Sequence, residues 1–358
     1  MNSNTSTLTD TLNRISNWLE NNMSGYTRFL KPGLQKNRII ALTSDLPFKL
    51  PEEIFRLYQW RNGTNQSLKT IIAYPPQFLP LEEAIEIVRQ YILPNEIRYR
   101  GKLIFPFLGG GVGYCGVLVG RKACPSSAVV YFHPEDKPKI AFTNVTSMMS
   151  SLAECFETGA FFLEDEFIRE NKVAAATICR THNPEVMSEL IQLLSQLLER
   201  PTELTESENS SLLELLIVFR KYQNPEIVES LMEALGVLQA ASSEQMYLLR
   251  IWIVETLGEI VDARIAPFLI RLLQSETDWA VRCNIAVALG HLGDKLAIAS
   301  LSQMITSPQD QGQPRSKALH SLYQLGAVDE LAQFVQHPDA EIQAAAIRYL
   351  GYLEVTQK

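Results

Sequence analysis

The chain has 358 residues, of which 46% are hydrophobic and 20% charged, with a net charge of −8. This length favours two domains, and the composition is that of a globular protein, which excludes a largely disordered one. No run approaches the roughly 18–20 apolar residues of a membrane helix, the N-terminus lacks an apolar signal core, and the five cysteines are scattered, so we expect a cytoplasmic protein with reduced thiols.

Charge divides the chain into two parts. Residues 1–163 carry 17 basic and 13 acidic side chains, a net charge of +4, whereas residues 164–358 carry 15 and 27, a net charge of −12. An acidic surface repels a phosphate backbone. Nucleic acid is therefore not expected as a partner, and neither is a membrane.

Periodicity and turn residues predict an α+β domain over residues 1–160. Apolar residues at three- and four-residue spacing indicate helices, and short apolar runs between Gly or Pro turns indicate antiparallel strands. The predicted helices span residues 7–21, 51–60, 81–91 and 145–159. The predicted strands span residues 69–74, 103–108, 114–120 and 128–132. The expected fold is an antiparallel sheet with flanking helices.

The segment LPEEIFRLYQWRNG at residues 50–63 carries a distinctive pattern. It resembles the signature helix of the SUKH superfamily, which includes fungal cell-wall synthesis regulators and bacterial immunity proteins that neutralise toxins. The resemblance continues through residues 103–107, a glycine loop and residues 129–132, although that loop lacks the acidic residues often found in the family. We interpret the signature positions as structural, with a packed aromatic ring and an Asn-Gly turn that ends the helix. These positions are Leu50, Pro51, Trp60, Asn62 and Gly63.

Two further patterns in this part do not predict a chemical site. A G-x-G-x-x-G pattern begins at Gly111, but a strand follows it, whereas a dinucleotide site needs the loop to open a helix. We interpret it as a tight strand connection. Cys115, Cys124 and His133 follow no zinc-site spacing. No catalytic residue, cofactor or metal is predicted.

Residues 164–358 predict an all-α, HEAT-like solenoid. Leu-Gly pairs recur at 257–258, 289–290, 325–326 and 350–351, and Asp278 and Asp339 are expected to cap helix starts. The acidic run at 164–166 is expected to begin the first helix. The predicted helix pairs are 184–199 with 208–221, 224–239 with 244–260, 264–275 with 278–292, 295–306 with 313–326, and 327–336 with 338–353. The segment 278–294 resembles the HEAT-like repeats of bilin lyases.

Aligning the repeats on their Leu-Gly pairs places one set of side chains on the exposed face of the second helices, which line the concave side in solenoids of this kind. The set is apolar and aromatic with a few charges, which is typical of a binding surface. It comprises Trp252, Glu255, Asn284, Val287, His320, Tyr323 and Arg348. Trp252 and Tyr323 are the expected anchors, and Glu255 and Arg348 are expected to set orientation. Alternatively, the N-terminal domain or an added helix covers this face.

These features predict a non-catalytic protein-binding module. The main hypothesis is an immunity or regulatory adaptor protein that binds and occludes a partner protein, such as a toxin or a regulated enzyme. The alternative hypothesis is a bilin (chromophore) lyase or lyase helper that uses the HEAT-like repeats. An absorbance change on mixing with bilin and apoprotein would separate the two.

Overall fold

The computed structural model describes residues 7–23, 25, 27–65, 77–110, 113–133, 138–164, 167–239 and 244–356. Its chain divides into two compact units, Met1–Ser188 and Glu189–Lys358. This division falls later in the chain than the boundary expected near residues 160–164. The reason is that a strand pair and a further helix follow that point, and the helix packs against the preceding helix of the first unit.

The first unit contains helices at and beyond the predicted places. They are α1 (Leu8–Asn22), α2 (Lys36–Leu42), α3 (Glu52–Trp60), α4 (Leu81–Ile87), α5 (Val145–Glu157) and α6 (Lys172–His182). A π-helical turn, Val88–Ile92, extends α4. Side-chain caps explain three starts: Thr7 forms a capping box at α1, and Asn144 and Asn171 cap α5 and α6. The four predicted helices are confirmed, whereas α2 and α6 were not predicted.

Most strands of this unit form one antiparallel sheet. The strands are β1 (Leu30–Pro32), β2 (Arg61–Thr64), β3 (Gln77–Phe78), β4 (Arg98–Tyr99), β5 (Lys102–Gly110), β6 (Gly113–Val119), β7 (Val129–Phe132), β8 (Lys139–Phe142), β9 (Phe161–Glu164) and β10 (Phe167–Glu170). Within the described ranges, six of them form one sheet. Five follow the order β3-β5-β6-β7-β8, and the sixth, β4, pairs with β5. The other four pair as β1 with β2 and β9 with β10.

Two expectations from the sequence were wrong in this region, and a third falls on residues that the structure does not describe. The Asn-Gly pair at 62–63 lies inside β2 and does not end α3 as expected. Glu164 ends β9 and does not begin a helix, because β9 pairs with β10 as a hairpin. The strand predicted at 69–74 lies outside the described residues.

The core of the first unit lies between the sheet and the helices. Its largest fully buried side chains include Tyr58, Phe78, Phe105 and Phe132, so α3 packs on the apolar face of the sheet. The buried carboxylate of Glu53 accepts hydrogen bonds from the backbone N–H groups of Val145 and Thr146 and from the Thr146 hydroxyl. Glu53 therefore joins α3 to the start of α5.

The second unit is all-helical in its described residues. After α7 (Pro184–Leu198), which crosses the division, come α8 (Glu206–Tyr222), α9 (Val228–Leu238), α10 (Glu244–Glu259), α11 (Ile265–Ser275), α12 (Trp279–Leu292), α13 (Ile298–Thr306), α14 (Gln313–Gln324), α15 (Val328–Gln333) and α16 (Ala340–Thr356). The second helices of the predicted pairs, α8, α10, α12, α14 and α16, pack on one another in that order. The predicted helical repeats are confirmed, as are the caps Asp278 and Asp339. Among the helices described, none combines the length and apolar character needed to cross a membrane.

Candidate functional site

Two buried ion pairs fix neighbouring repeats of the second unit. Arg282, on α12, donates from Nε and Nη2 to both carboxylate oxygens of Asp310 at 2.5 and 2.6 Å, and its Nη1 donates to the carbonyls of Leu273 and Glu276. Arg250, one repeat earlier on α10, pairs with Glu276. All four charged side chains are buried. Because each Arg reaches into the segment before the next second helix, the pairs set the spacing at which these helices stack.

Glycines let the second helices approach closely. A Cβ at Gly258 would lie 2.5 Å from the Ala288 side chain, and one at Gly290 would lie 2.7 Å from Ser321 Oγ. Ser321 Oγ also donates to the Ala286 carbonyl at 2.7 Å. The helices α10, α12 and α14 are therefore closely spaced, and larger residues at these two glycine positions would prevent the contacts between them.

The repeat alignment differs from the one based on Leu-Gly pairs. Gly290 lies inside α12, which ends at Leu292 and is followed by Gly293 with φ 71°. Gly326 follows the end of α14 and has φ 65°, so its counterpart is Gly293. Leu-Gly thus occurs both within a helix and after one. In this alignment Lys317 and His320 are the counterparts of Asn284 and Val287.

The first part of the predicted binding face is organised by Arg220 of α8. Its guanidinium carbon lies 5.0 Å from the Trp252 ring centroid, and it donates to Thr256 Oγ1, the Trp252 carbonyl and Glu255 Oε2 at 3.0, 3.2 and 3.0 Å. Glu259 lies 3.7 Å from another nitrogen of the same guanidinium. Trp252 and Glu255 remain half-buried. The hydrogen-bonded charge cluster around Arg220 therefore covers part of Trp252, which was the expected anchor.

The middle of the face, on α12, is the least polar. Asn284 is half-buried and donates from Nδ2 to the Ala280 carbonyl at 2.9 Å, so its amide is engaged within its own helix. Val287 is half-buried and His291 is exposed. This helix offers one half-buried apolar side chain between an engaged amide and an exposed imidazole.

The last part of the face is an aromatic group on α14 and α16. Tyr323 stacks on Tyr349 with ring centroids 5.0 Å apart and planes at 16°, and Tyr352 meets Tyr323 edge-on at 6.2 Å. His320 lies 5.9 Å from Tyr323 and 5.6 Å from Tyr349. We call His320, Tyr323, Tyr349 and Tyr352 the tyrosine cluster. Tyr352 is 51% exposed, so the cluster borders solvent.

Two cationic side chains, Arg348 and Lys317, lie near the tyrosine cluster. The exposed Arg348 places its guanidinium carbon 5.3 Å from the Tyr349 ring centroid. Burial lowers the pKa of His320, and the nearby Lys317 and His291 lower it further. The imidazole is therefore neutral at pH 7, near the permanent positive charge of Lys317. Such a site suits a flat conjugated ligand with carboxylate groups.

The structure thus separates the predicted residues into three groups. His320, Tyr323 and Arg348 belong to the tyrosine cluster and its surroundings, and Trp252 and Glu255 belong to the Arg220 cluster. Asn284 and Val287 lie between them on α12 and belong to neither. Tyr349, Tyr352, Lys317 and Arg220 were not among the predicted residues. A signal for Tyr349 and Tyr352 was present, since residues three apart share a helix face. Their proximity to α14 is a tertiary contact that spacing alone does not give.

The signature positions of the first unit are held by internal contacts. Trp60 donates from Nε1 to Ser16 Oγ at 2.8 Å. Asn62 is buried; its Oδ1 accepts from the Leu81 backbone, and its Nδ2 donates to Glu82. Gly63 has φ 78°, and a Cβ there would lie 2.3 Å from Pro80 N. Leu50 is buried and Pro51 precedes the first residue of α3.

The glycine pattern falls between two strands. Gly113 and Gly116 lie in β6, and the preceding two residues of the loop are not described. Across the described ranges, no group of three or more His, Cys, Asp or Glu side chains could hold a metal ion.

Comparison with known proteins supports the repeat assignment. Residues 234–323 match the family model of HEAT repeats. The chain is 32% identical over 108 residues to the bilin biosynthesis protein PecE of Mastigocladus laminosus, which is 30% of this chain and 40% of that protein. It is 31% identical over 108 residues to the PecE of Nostoc sp. strain PCC 7120, covering 30% and 43%. The chain spans less than half the length of these relatives.

These matches overturn one expectation from the sequence. The chain was expected to have no enzymatic role, but both relatives are named for the biosynthesis of a bilin. That expectation rested on the absence of a local catalytic motif, and such an absence does not exclude side chains that come together from separate repeats.

Proposed function

We propose that the second unit binds a bilin and acts as a bilin lyase or a lyase helper. The similarity to two bilin biosynthesis proteins carries this proposal. The tyrosine cluster supports it, because it presents stacked aromatic rings next to Lys317 and Arg348. HEAT repeats and these relatives also favour a protein partner, which in this proposal is the apoprotein that receives the bilin.

The chemistry of a bilin fits the tyrosine cluster. A bilin is an open-chain tetrapyrrole with an extended conjugated system and two propionate groups. Tyrosine rings stack against a conjugated plane, and Lys or Arg side chains pair with carboxylates. The edge-on, half-exposed Tyr352 leaves one side of the cluster open to solvent. The ligand would therefore lie across α14 and α16 with its propionates toward Lys317 and Arg348.

His320 is the candidate proton acceptor. In attachment, a cysteine sulfur of the acceptor bonds to one carbon of an exocyclic double bond of the bilin, and the thiol proton ends on the neighbouring carbon. No other reactant is consumed. A neutral imidazole can take the proton from the thiol and return it to carbon, and the lowered pKa of His320 keeps it neutral at pH 7.

For the first unit we propose a SUKH-like domain over residues 1–160. The order of α3, the antiparallel sheet and α5 supports this, together with the buried contacts of Trp60 and Asn62. No observation favours a toxin as the partner, so occlusion of a toxin is not proposed.

An attachment assay tests the function. Phycocyanobilin and an acceptor apoprotein are incubated with and without the full chain, and the absorbance that stays with the acceptor after denaturation is followed in time. We expect the chain to raise the attachment rate.

Lys317→Glu should lower the rate by about fivefold or more, since it reverses a charge facing the propionates. Lys295→Glu, an equal charge change at an exposed position between α12 and α13, is the control. Attachment that is equally fast without the chain would contradict the proposal.

A further inference from the structure

One end of the six-stranded sheet gathers basic side chains from three connections of the first unit. Arg100-Gly101 joins β4 to β5, Gly120 follows β6, and Lys49 precedes α3. The side chains brought together are Lys49, Arg98, Arg100, Lys102, Arg121 and Lys122, and all six residues are exposed. We call them the basic turn patch.

Backbone pairing fixes the position of the basic turn patch. Tyr99 pairs with Lys102 across the β4–β5 turn, and Leu103 pairs with Val119 at the end of β6. The Lys49 N–H donates to the Gly120 carbonyl at 2.8 Å. Paired residues on neighbouring strands lie about 5 Å apart. The three connections are therefore side by side, on a rigid sheet.

Four of the six residues of the basic turn patch have no ion pair with a described carboxylate. Glu96 approaches Arg98 at 3.9 Å. Elsewhere in the described parts of the chain, no carboxylate lies within 4.0 Å of Lys49, Lys102 or the two basic residues after Gly120. Residues 1–163 carry a net charge of +4, and the patch gathers six of their 17 basic side chains at one end of the sheet.

Arg100 adds an independent observation. It has φ 50° and is followed by Gly101 with φ 76°, so both residues of this two-residue turn are left-handed. Such turns favour Asn-Gly, because a long side chain is disfavoured at positive φ. The geometry of this turn alone therefore does not favour an arginine at position 100.

We propose that the basic turn patch docks a protein surface rich in Asp and Glu carboxylates. A nucleic acid partner is not favoured, because the Tyr99 ring, on which a base could stack, is already covered by the Arg100 guanidinium at 5.2 Å. Bilayer insertion is not favoured, because none of the exposed large hydrophobic side chains of the described residues lies in the segments that carry the patch, 45–50, 97–103 and 119–123. Exposed Lys and Arg pair readily with carboxylates and speed association with an acidic partner. This proposal is independent of bilin binding, which involves the second unit.

Fluorescence anisotropy of labelled poly-L-glutamate with the full chain at low salt tests the proposal. The double variant Arg121→Glu/Lys122→Glu should weaken binding about tenfold or more, and added salt should also weaken it. The control, Lys36→Glu/Arg38→Glu on α2, makes the same charge change at exposed positions outside the patch and should have little effect.

Arg100→Asn provides a variant that preserves the fold. It places a favoured residue in the turn, so the melting temperature should stay the same or rise while poly-L-glutamate binding weakens. Absence of binding, or equal weakening by the two double variants, would overturn the proposal. Tighter binding to duplex DNA or to phosphatidylserine vesicles than to poly-L-glutamate would also overturn it, in favour of a nucleic acid or a membrane.

Discussion

Arg282 and Asp310 form a buried ion pair in the second unit. Asp310 is fully buried, and all three guanidinium nitrogens of Arg282 donate hydrogen bonds, two to Asp310 and one to two backbone carbonyls. Removing one partner leaves the other charge buried without compensation, which is far more costly than losing an exposed pair.

We therefore expect Asp310→Ala to lower the unfolding free energy by about 3–5 kcal/mol. Glu229→Ala removes the exposed partner of Arg264 and should cost about 0–1 kcal/mol. Urea unfolding of the full chain, followed by circular dichroism, measures both values. Similar losses in the two variants would show that the buried pair has no special role.

His320 should give the second unit a pH-dependent stability. Its pKa is lowered by burial and by Lys317 and His291, so the folded state binds a proton less readily than the unfolded chain. The unfolding free energy should then rise with pH through the window from the lowered pKa to about 6.5. His320→Gln should reduce the stability difference between about pH 5 and pH 8. An unchanged difference in His320→Gln would contradict this.

At the scale of elements, the second unit depends on how closely its second helices approach. A Cβ added at Gly258 would lie 2.5 Å from the side chain of Ala288 and 2.7 Å from its backbone Cα. Gly236, on α9, has nothing within 4 Å of such a Cβ. The two helical glycines therefore have opposite roles, one permitting contact and the other only weakening its helix.

We expect Gly258→Ala to destabilise the protein by about 1–3 kcal/mol, because α10 and α12 must separate. Gly236→Ala should stabilise it by up to about 1 kcal/mol through helix propensity. Thermal or urea unfolding of the two variants gives the comparison. Stabilisation by both substitutions would mean that the helices do not touch at Gly258.

Sequence periodicity predicted most helices of both units because their apolar faces repeat at helical spacing. It missed the helices α2 and α6, and it also missed β1 to β4, β8, β9 and β10, which are strands of two to four residues. The repeat alignment shifted at α14 because Leu-Gly marks different places in different repeats. The tyrosine cluster could only partly be predicted, since Tyr349 meets Tyr323 through packing of two separate repeats.

At the scale of the whole molecule, the chain should separate into two folded parts. We propose a junction at Asn183–Pro184, between α6 and α7, because α6 packs on α5. Fragments 1–183 and 184–358 should each unfold cooperatively, and only the first should show strand signal in far-UV circular dichroism. Strand signal in the second fragment, or loss of structure in either, would contradict this division.

The central claim is that the tyrosine cluster binds a bilin, and an absorbance titration of biliverdin with the full chain tests it most directly. We expect a saturable spectral change, with affinity reduced about tenfold or more by Tyr349→Leu, because a stacked ring and its partner surface are lost. Tyr247→Leu, on α10 and outside the cluster, should bind like the unaltered chain. A titration without spectral change, or one that both substitutions leave unchanged, would contradict the claim.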